Sequence, residues 1–330
     1  MISKYAKYKE WLSGYLKANK SYPRTIMVEA TPICNLKCVF CPCYIKGEEV
    51  TKDRKTMYFA VKDFKKMIDQ IKGKFNFQIC FTYSGDPLVH PKIFEMVKYL
   101  KDNKIPVTVY SNSMLLTGKR IDQMLDSGLD RLIVSFDGAS KKTYEDIRRG
   151  SKFETVIKNL KNLIKTRNDR GLIKPFVEMQ MVATKSNSDE IQKFKKLAKD
   201  IAADNCYIKT LFVYQNTTNT DYINKVEKYF IEGKIARYKR GKNNELVLKD
   251  IGGCPQIQDT VITSDGDVVI CCFDLHGKYM FGNAINESLA DIWDKKEFKK
   301  FRKDVMDKRK LSICKFCNTS KHISKRLKTG

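Results

Sequence analysis

Short apolar runs alternate with amphipathic stretches between residues 26 and 212. The apolar runs are rich in β-branched and aromatic residues and are bounded by turn residues, which predicts strands. Between them, apolar residues recur at helical spacing. The predicted strands are residues 26–30, 77–83, 107–110, 131–136, 176–182 and 206–213, and the predicted helices are residues 58–72, 91–103, 117–127, 140–168 and 188–201.

This alternation is typical of an α/β fold in which parallel strands are joined by right-handed helical crossovers. The sheet can be open or rolled into a barrel, and functional residues then follow the carboxyl ends of the strands. Four polar or cysteine-rich segments follow predicted strands in this chain, and we expect them to converge at one edge of the sheet. They are residues 31–44, 84–87, 111–113 and 137–138.

The strand and helix alternation ends near residue 213. Residues 214–250 are polar and weakly periodic, whereas "VITSDGDVVICCF" predicts a β-hairpin that turns at Asp265 and Gly266. An amphipathic helix is predicted near residues 288–306. The predicted organisation is a helical extension at 1–23, the α/β unit at 24–213, a linker or insert at 214–250, a small hairpin-plus-helix domain at 251–320 and a basic tail at 321–330.

Length and composition indicate a folded protein with many free thiols. The chain has 330 residues, 42% of them hydrophobic, and no run of roughly 18 apolar residues that could span a membrane. The polar, lysine-rich N-terminus does not resemble a signal peptide, so we expect a cytoplasmic protein. Because the cytosol is reducing, eleven clustered cysteines indicate metal or cluster ligation in preference to disulfides.

The formal net charge of +25 raises the question of a nucleic-acid partner. Only 13 of the 63 basic residues are arginine, the residue preferred for bidentate phosphate contacts, and the lysines are spread over nearly every predicted helix. A generally lysine-rich surface explains this charge better than a dedicated surface for nucleic acid. No nucleic-acid or membrane partner is therefore expected.

Cys34, Cys38 and Cys41 form a C-x3-C-x2-C array, with Cys43 two residues further on. A [4Fe–4S] cluster is usually held by cysteine thiolates, and three of them leave one iron open to a small molecule that chelates through amino and carboxylate groups. A zinc site that recruits Cys43 as fourth ligand is the alternative. The spacing alone leaves both open.

The array, with Phe40 before its third cysteine and its position after the first predicted strand, resembles the radical S-adenosylmethionine (SAM) superfamily. "SGDPLVHP" is similar to the GGEP-type segment of that family, with serine for glycine and aspartate for glutamate. The resemblance implies that this segment meets the amino group of SAM and that later loops meet its carboxylate and ribose. The implied cofactor-binding residues are Phe40, Ser84, Gly85, Asp86, Pro87, Ser111, Asn112, Ser135 and Asp137.

The C-terminal region resembles the SPASM and shorter twitch domains, which hold auxiliary iron–sulfur clusters. No cysteine follows Cys317, so the resemblance implies one auxiliary cluster, with Cys272 as the rival of Cys271. From the residues alone, a zinc ribbon is the alternative. The implied ligands are Cys254, Cys271, Cys314 and Cys317.

The resemblance implies a radical SAM oxidoreductase with a partial (β/α)6 barrel, SAM and two [4Fe–4S] clusters. The length, the run from "GNAINESLADIW" to "FKKFR" and the later "CKFCN" most resemble twitch-type aminocyclitol dehydrogenases. This resemblance implies a hydroxylated sugar or aminocyclitol as substrate and a flavodoxin- or ferredoxin-type electron donor. A peptide-modifying maturase or epimerase is the alternative within the family. A zinc-binding, RNA-interacting protein is the alternative outside it.

Four further residues have two interpretations each. Cys80 and Cys206 lie within apolar strands, where they serve either as inert core thiols or as hydrogen-atom donors. Glu29 and Glu178 are acidic residues in apolar strands, where they either contact substrate or accept structural hydrogen bonds.

Overall fold

The computed structural model describes residues 3–19, 21–211, 219–232, 236, 238–242, 246–248, 254, 257–305, 311–315 and 317. Six parallel strands pair in chain order and confirm both the predicted partial barrel and the predicted strand positions. Residues 212 and 213 of the last predicted strand lie outside the described residues. The strands are β1 (Thr25–Val28), β2 (Gln78–Phe81), β3 (Val107–Ser111), β4 (Arg131–Ser135), β5 (Phe176–Ala183) and β6 (Asn205–Thr210).

Seven helices precede or connect these strands. The predicted single helix over residues 140–168 is wrong, because the structure has two helices there, separated by a turn in which Gly150 adopts a φ of +91°. The helices are α1 (Lys4–Lys17), α2 (Val61–Asp69), α3 (Ile93–Asp102), α4 (Gly118–Asp126), α5 (Lys141–Ile147), α6 (Phe153–Asp169) and α7 (Ile191–Asp200).

Alternate residues of each strand face opposite sides of the sheet. On β5, Val177 and Met179 belong to the main hydrophobic core with the connecting helices, so Glu178 and Gln180 face the barrel interior. The N-terminal helix α1 packs against the beginning of β5, with the ring of Tyr5 5.3 Å from that of Phe176. The barrel is thus covered by helices outside and closed near its amino-terminal edge by α1.

The region predicted as a polar linker contains regular structure. Helix α8 (Thr220–Glu227) is followed by β7 (Tyr238–Arg240) and β8 (Leu246–Leu248), which form a separate antiparallel pair. The N-cap Asn219 accepts a hydrogen bond from the backbone N–H of Tyr222, which explains where α8 begins. The predicted basic tail at 321–330 lies outside the described residues.

The predicted C-terminal hairpin is confirmed, but its strands extend the barrel sheet. Strands β9 (Asp259–Ile262), β10 (Asp267–Val269) and β11 (Met280–Asn283) are antiparallel neighbours in that order. Strand β9 pairs in parallel with β1 along its full length, from Thr25 opposite Asp259 to Val28 opposite Ile262. In this one nine-stranded sheet, β1 leads into the cysteine-rich loop and β10 leads into Cys271 and Cys272.

The helix predicted near residues 288–306 is two helices, α9 (Leu289–Asp294) and α10 (Lys296–Asp304), which meet at Lys295. Lys295 has an extended ψ of 139° and so interrupts the helical path. A short helix, α11 (Ser312–Lys315), contains Cys314. No helix among the described residues is long and apolar enough to cross a membrane.

Candidate functional site

The three cysteines of the array lie on the loop after β1, at the carboxyl edge of the sheet, and are half-buried. The loop is attached to the end of α5 through two backbone hydrogen bonds, from Lys37 N–H to the Arg149 carbonyl (3.0 Å) and from Val39 N–H to the Ile147 carbonyl (3.0 Å). Pro32 lacks the N–H that would continue the strand after β1, and Pro42 begins a 3-10 turn over Pro42–Tyr44 at the other end of the loop.

Gly85 allows the loop to approach the segment after β2. Its φ is +64°, and a Cβ atom there would lie 2.2 Å from the Thr31 carbonyl oxygen. The neighbouring Asp86 N–H donates to the Ile33 carbonyl (2.9 Å). Only glycine fits this contact, which accounts for the glycine in the segment "SGDP".

The surroundings of the array favour protonated thiols as long as no cation is bound beside them. Burial raises the pKa of Cys34 and of Cys38 to about 12, and a hydrogen bond with Cys43 followed by burial raises the pKa of Cys41 well above its usual value. Cysteine thiolates ligate metals, and bound iron supplies the positive charge that stabilises them. The donor set therefore fits a metal cluster.

The described residues contain no group of three histidine, cysteine or acidic side chains that could hold one metal ion. A mononuclear zinc site needs four donors around one point, whereas each cysteine of an iron–sulfur cluster binds a different iron. The half-buried thiols at the carboxyl edge fit the cluster better than the zinc alternative.

Asp86 connects the segments after β2 and β3. Its buried carboxylate accepts hydrogen bonds from Leu88 N–H (2.9 Å), Ser111 Oγ (2.9 Å) and Asn112 N–H (2.7 Å). Asn112 Nδ2 in turn donates to Asn35 Oδ1 (2.9 Å) in the cysteine loop. Both oxygens of Asp86 thus have protein partners. The Asp86 carboxylate therefore positions the loops after β2 and β3 around the cysteines.

We expect Asp86→Ala to lower the free energy of unfolding by about 3 kcal/mol, because a buried donor that loses its acceptor costs about 1–3 kcal/mol and three donors are affected. Urea unfolding of the purified protein measures this change. The matched control is Asp102→Ala, an exposed carboxylate paired with Lys98, which should change stability by less than about 0.5 kcal/mol. Equal stability of the two variants would contradict the positioning role.

The carboxylate of Asp137 is also bound by other residues of the protein. Its buried carboxylate accepts from Val182 N–H (2.7 Å) and pairs with Arg148 Nη2 (2.6 Å). Arg148 Nη1 lies 3.9 Å from Cys38 Sγ. Arg148 was not among the predicted site residues, because one arginine after a helix does not stand out in a chain with so many cations.

The contacts of Glu29 favour its structural interpretation over a substrate contact. Its buried carboxylate pairs with Arg54 Nε (2.6 Å), and it accepts hydrogen bonds from Ser84 Oγ and from Ser264 N–H (2.9 Å). These contacts join the end of β1, the segment after β2 and the turn of the C-terminal hairpin. The Ser84 hydroxyl is therefore used within the protein.

Some polar groups at this edge remain available to a ligand. The hydroxyl of Ser113 is buried and has no hydrogen-bond partner among the described residues. Ser135 ends β4, is half-buried and alternates with Val134, which places its side chain on the barrel side. Phe40 is half-buried beside the array, and Pro87 begins a short 3-10 turn. A buried hydroxyl without a partner is what a polar cofactor would satisfy.

The two candidate hydrogen donors lie on opposite faces of the sheet. Cys80 packs with Met27 and Val261 on the barrel side, where burial raises its pKa to about 12. Cys206 pairs in register with Met179 and packs against the outer core with the helices. The structure thus gives no support to Cys206 as a donor inside the barrel.

Glu178 faces the barrel interior but is fully engaged there. Its carboxylate accepts from Tyr5 Oη (2.6 Å), Asn205 Nδ2 (2.7 Å) and Gln180 Nε2 (2.8 Å). Burial acts to raise its pKa, but these donors outweigh burial and lower it. The contacts favour the structural interpretation of Glu178 over a substrate contact.

The C-terminal cysteines gather beyond β10. Burial, followed by the neighbouring thiols Cys272, Cys317 and Cys254, raises the pKa of Cys271 well above its usual value. Cys314 is half-buried, and its carbonyl accepts from Cys317 N–H (3.2 Å). Cys271 is half-buried and Cys272 is exposed. Exposure alone does not identify the ligand, and Cys271 stays the predicted one.

Comparison with protein families gives two matches. The model described as the radical SAM superfamily matches residues 28–198, which is more than half of the chain. The model described as an iron–sulfur cluster-binding domain, SPASM, matches residues 254–318.

Two curated relatives illustrate the similarity. The tungsten-containing aldehyde ferredoxin oxidoreductase cofactor-modifying protein of Pyrococcus furiosus is 25% identical over 306 residues, which cover 84% of this chain and 82% of that protein. The AdoMet-dependent heme synthase of Methanosarcina barkeri is 31% identical over 188 residues, 55% of this chain and 48% of that protein. The chain thus spans about half the length of the synthase.

Two solved structures share the fold. SuiB of Streptococcus suis bound to SAM superposes with a TM-score of 0.65 at 17% identity, covering 98% of this chain and 80% of that one. BtrN in complex with AdoMet and 2-DOIA superposes with a TM-score of 0.54 at 19% identity, covering 91% and 94%. At these identities the likeness concerns the fold.

Proposed function

The chain belongs to the radical SAM superfamily, and from this premise we propose that it is a dehydrogenase that oxidises a hydroxylated small molecule, a sugar or an aminocyclitol. Its cofactors are SAM and iron–sulfur clusters. The observation that supports the proposal most is that two strands of one continuous sheet lead into cysteines, β1 into the loop of the array and β10 into Cys271 and Cys272.

In this proposal Cys34, Cys38 and Cys41 hold the cluster that binds SAM. When bound, the cluster and SAM together supply a radical that can remove hydrogen from an unactivated C–H bond. The protein supplies binding, orientation and exclusion of water. Asp86 orients the loop that contains Asn112. The Ser113 hydroxyl in the same loop would form a hydrogen bond with SAM.

The C-terminal cysteines support an oxidation over a rearrangement. Removal of one hydrogen atom from a carbinol carbon leaves a substrate radical. Loss of the hydroxyl proton and of one electron then turns that radical into a carbonyl, so an electron acceptor is needed within reach. We propose that Cys254, Cys271, Cys314 and Cys317 hold an auxiliary cluster, and thiolate-bound clusters span potentials of about −700 to +450 mV. Because β9 pairs with both β1 and β10, Cys271 after β10 is attached to the same sheet as the cysteine loop after β1.

Oxidation predicts one 5′-deoxyadenosine for each product molecule, and a product lighter by two hydrogen atoms. Mass spectrometry of reactions in D2O with candidate polyols checks both quantities. A product of unchanged mass apart from one solvent deuterium at carbon would contradict the dehydrogenase.

A second candidate is a peptide-modifying enzyme of the epimerase type, in which a thiol returns hydrogen to the substrate. The observation that favours it is the position of Cys80 on the barrel side of β2. In D2O the product of such an enzyme takes up one solvent deuterium at carbon. Loss of this uptake in Cys80→Ala, together with unchanged uptake in the matched control Cys206→Ala, would support this candidate.

A further inference from the structure

A cavity of about 610 Å³ adjoins the cysteine loop on the side toward α8. Its wall includes residues of the array, the end of α5 and the beginning of α8. Cys38 and Cys41 are part of this wall, which places the cavity directly beside the proposed SAM cluster. The exposed cations around it are Lys37, Lys46, Arg149 and Lys225.

These four side chains form an unpaired cationic rim. None of them makes an ion pair with a carboxylate among the described residues, and Asp221 is the one acidic residue of the cavity wall as described. Some lysines elsewhere on the surface do make such pairs, as Lys98 with Asp102 and Lys165 with Asp169. Four like charges around one opening attract an anionic partner.

Backbone contacts hold the rim together. Lys37 N–H donates to the Arg149 carbonyl (3.0 Å), and Asn219 Nδ2 at the start of α8 donates to the Lys46 carbonyl (2.9 Å). Lys225 lies on α8, 6 positions after the N-cap Asn219. Three separate segments thus present their cations at fixed positions around the mouth of the cavity.

We propose that this cationic rim is the docking surface for a one-electron carrier protein with an acidic face. The inference rests on the proposed function, since a SAM cluster must receive an electron. One electron leaves the reduced carrier and enters the oxidised cluster, so the carrier is oxidised by one electron, the cluster is reduced by one, and no bond forms or breaks.

The position of the rim favours this partner over nucleic acid. Electron transfer slows steeply with distance, and the cavity wall contains two of the three cysteines of the array. Rim charges act mainly by steering a charged partner into place, and such steering weakens with salt.

The test compares Lys46→Glu/Lys225→Glu with Lys62→Glu/Lys66→Glu, which makes the same charge change on two exposed lysines of α2. The probe is an oxidised flavodoxin, and its dissociation constant is measured by calorimetry at ionic strengths of about 0.01 and 0.15 M, where the Debye length is about 30 and 8 Å. We expect binding to weaken about tenfold in the rim variant, mainly at low salt, and less than about twofold in the control. Equal affinity of both variants overturns the proposal.

A second readout separates docking from chemistry. With dithionite as reductant, the rim variant should cleave SAM as fast as the unchanged protein, whereas with reduced flavodoxin it should be slower. An equal loss with both reductants would overturn the proposal, because the cations would then serve the cluster or SAM. Lys46→Gln/Lys225→Gln, with half the charge change, should show the same pattern more weakly. If the unchanged protein fails to cleave SAM with dithionite, the proposed function fails, while the calorimetric comparison still decides the docking surface.

Discussion

Alanine at Cys34, Cys38 and Cys41 together is expected to abolish SAM cleavage by the reduced protein. The three thiols are the proposed ligands of the SAM cluster, and without them no iron is held beside the loops of Asp86 and Asn112. The measurement is 5′-deoxyadenosine and methionine formed from SAM with dithionite as reductant. Cys206→Ala is the control, since that thiol packs in the outer core, and it should keep the activity.

The expected loss is complete because the residues around the array do not replace a missing ligand. Cys43 is a single buried thiol and cannot supply three ligands, and Arg148 beside the position of Cys38 is cationic. Asp86 and Asp137 already have protein donors on their carboxylates. SAM cleavage at an unchanged rate in the triple variant would show that the array is not the site.

The second large effect is expected at the auxiliary cysteines. Cys314→Ala with Cys317→Ala should still cleave SAM but should form no oxidised product, because the proposed electron acceptor is lost while the array after β1 is untouched. Mass spectrometry of the product, together with 5′-deoxyadenosine, measures both reactions. Cys272→Ala is the matched control and should keep the product if Cys271 is the ligand. Oxidised product from the double variant would contradict an auxiliary cluster as acceptor.

The sequence predicted most of the barrel because each strand is a short, nearly continuous apolar run between turn residues. Such runs are typical of parallel strands buried on both faces. The expected convergence of the loops is confirmed by the contacts of Asp86 with Ser111 and of Asn112 with Asn35. The family resemblance is confirmed by the two family models.

Helix interruptions were harder to predict. The segments at 140–168 and 288–306 keep an apolar helical pattern across their breaks at Gly150 and Lys295, and the pattern does not record a local change of φ or ψ. The pairing of β9 with β1 was not predicted either. It joins strands more than 200 positions apart in the chain, and strand pairing at such separation leaves no local signal.

The roles of single polar residues depended on the same distant contacts. Glu29 meets Arg54 and Ser264, and Asp137 meets Arg148 and Val182, so each carboxylate is occupied by partners that the sequence does not indicate. Cys206 also required the register. The sequence of β6 alone does not show which of its residues face the barrel, whereas its register with β5 does.

The measurement that tests the central claim most directly is the iron, sulfide and zinc content of the protein purified and reconstituted without oxygen, beside that of the triple variant at Cys34, Cys38 and Cys41. Two [4Fe–4S] clusters predict about eight irons, with matching sulfide, in the unchanged protein and about four in the variant. Zinc without iron and sulfide, or equal iron in both proteins, would contradict the assignment of the array as the SAM cluster site.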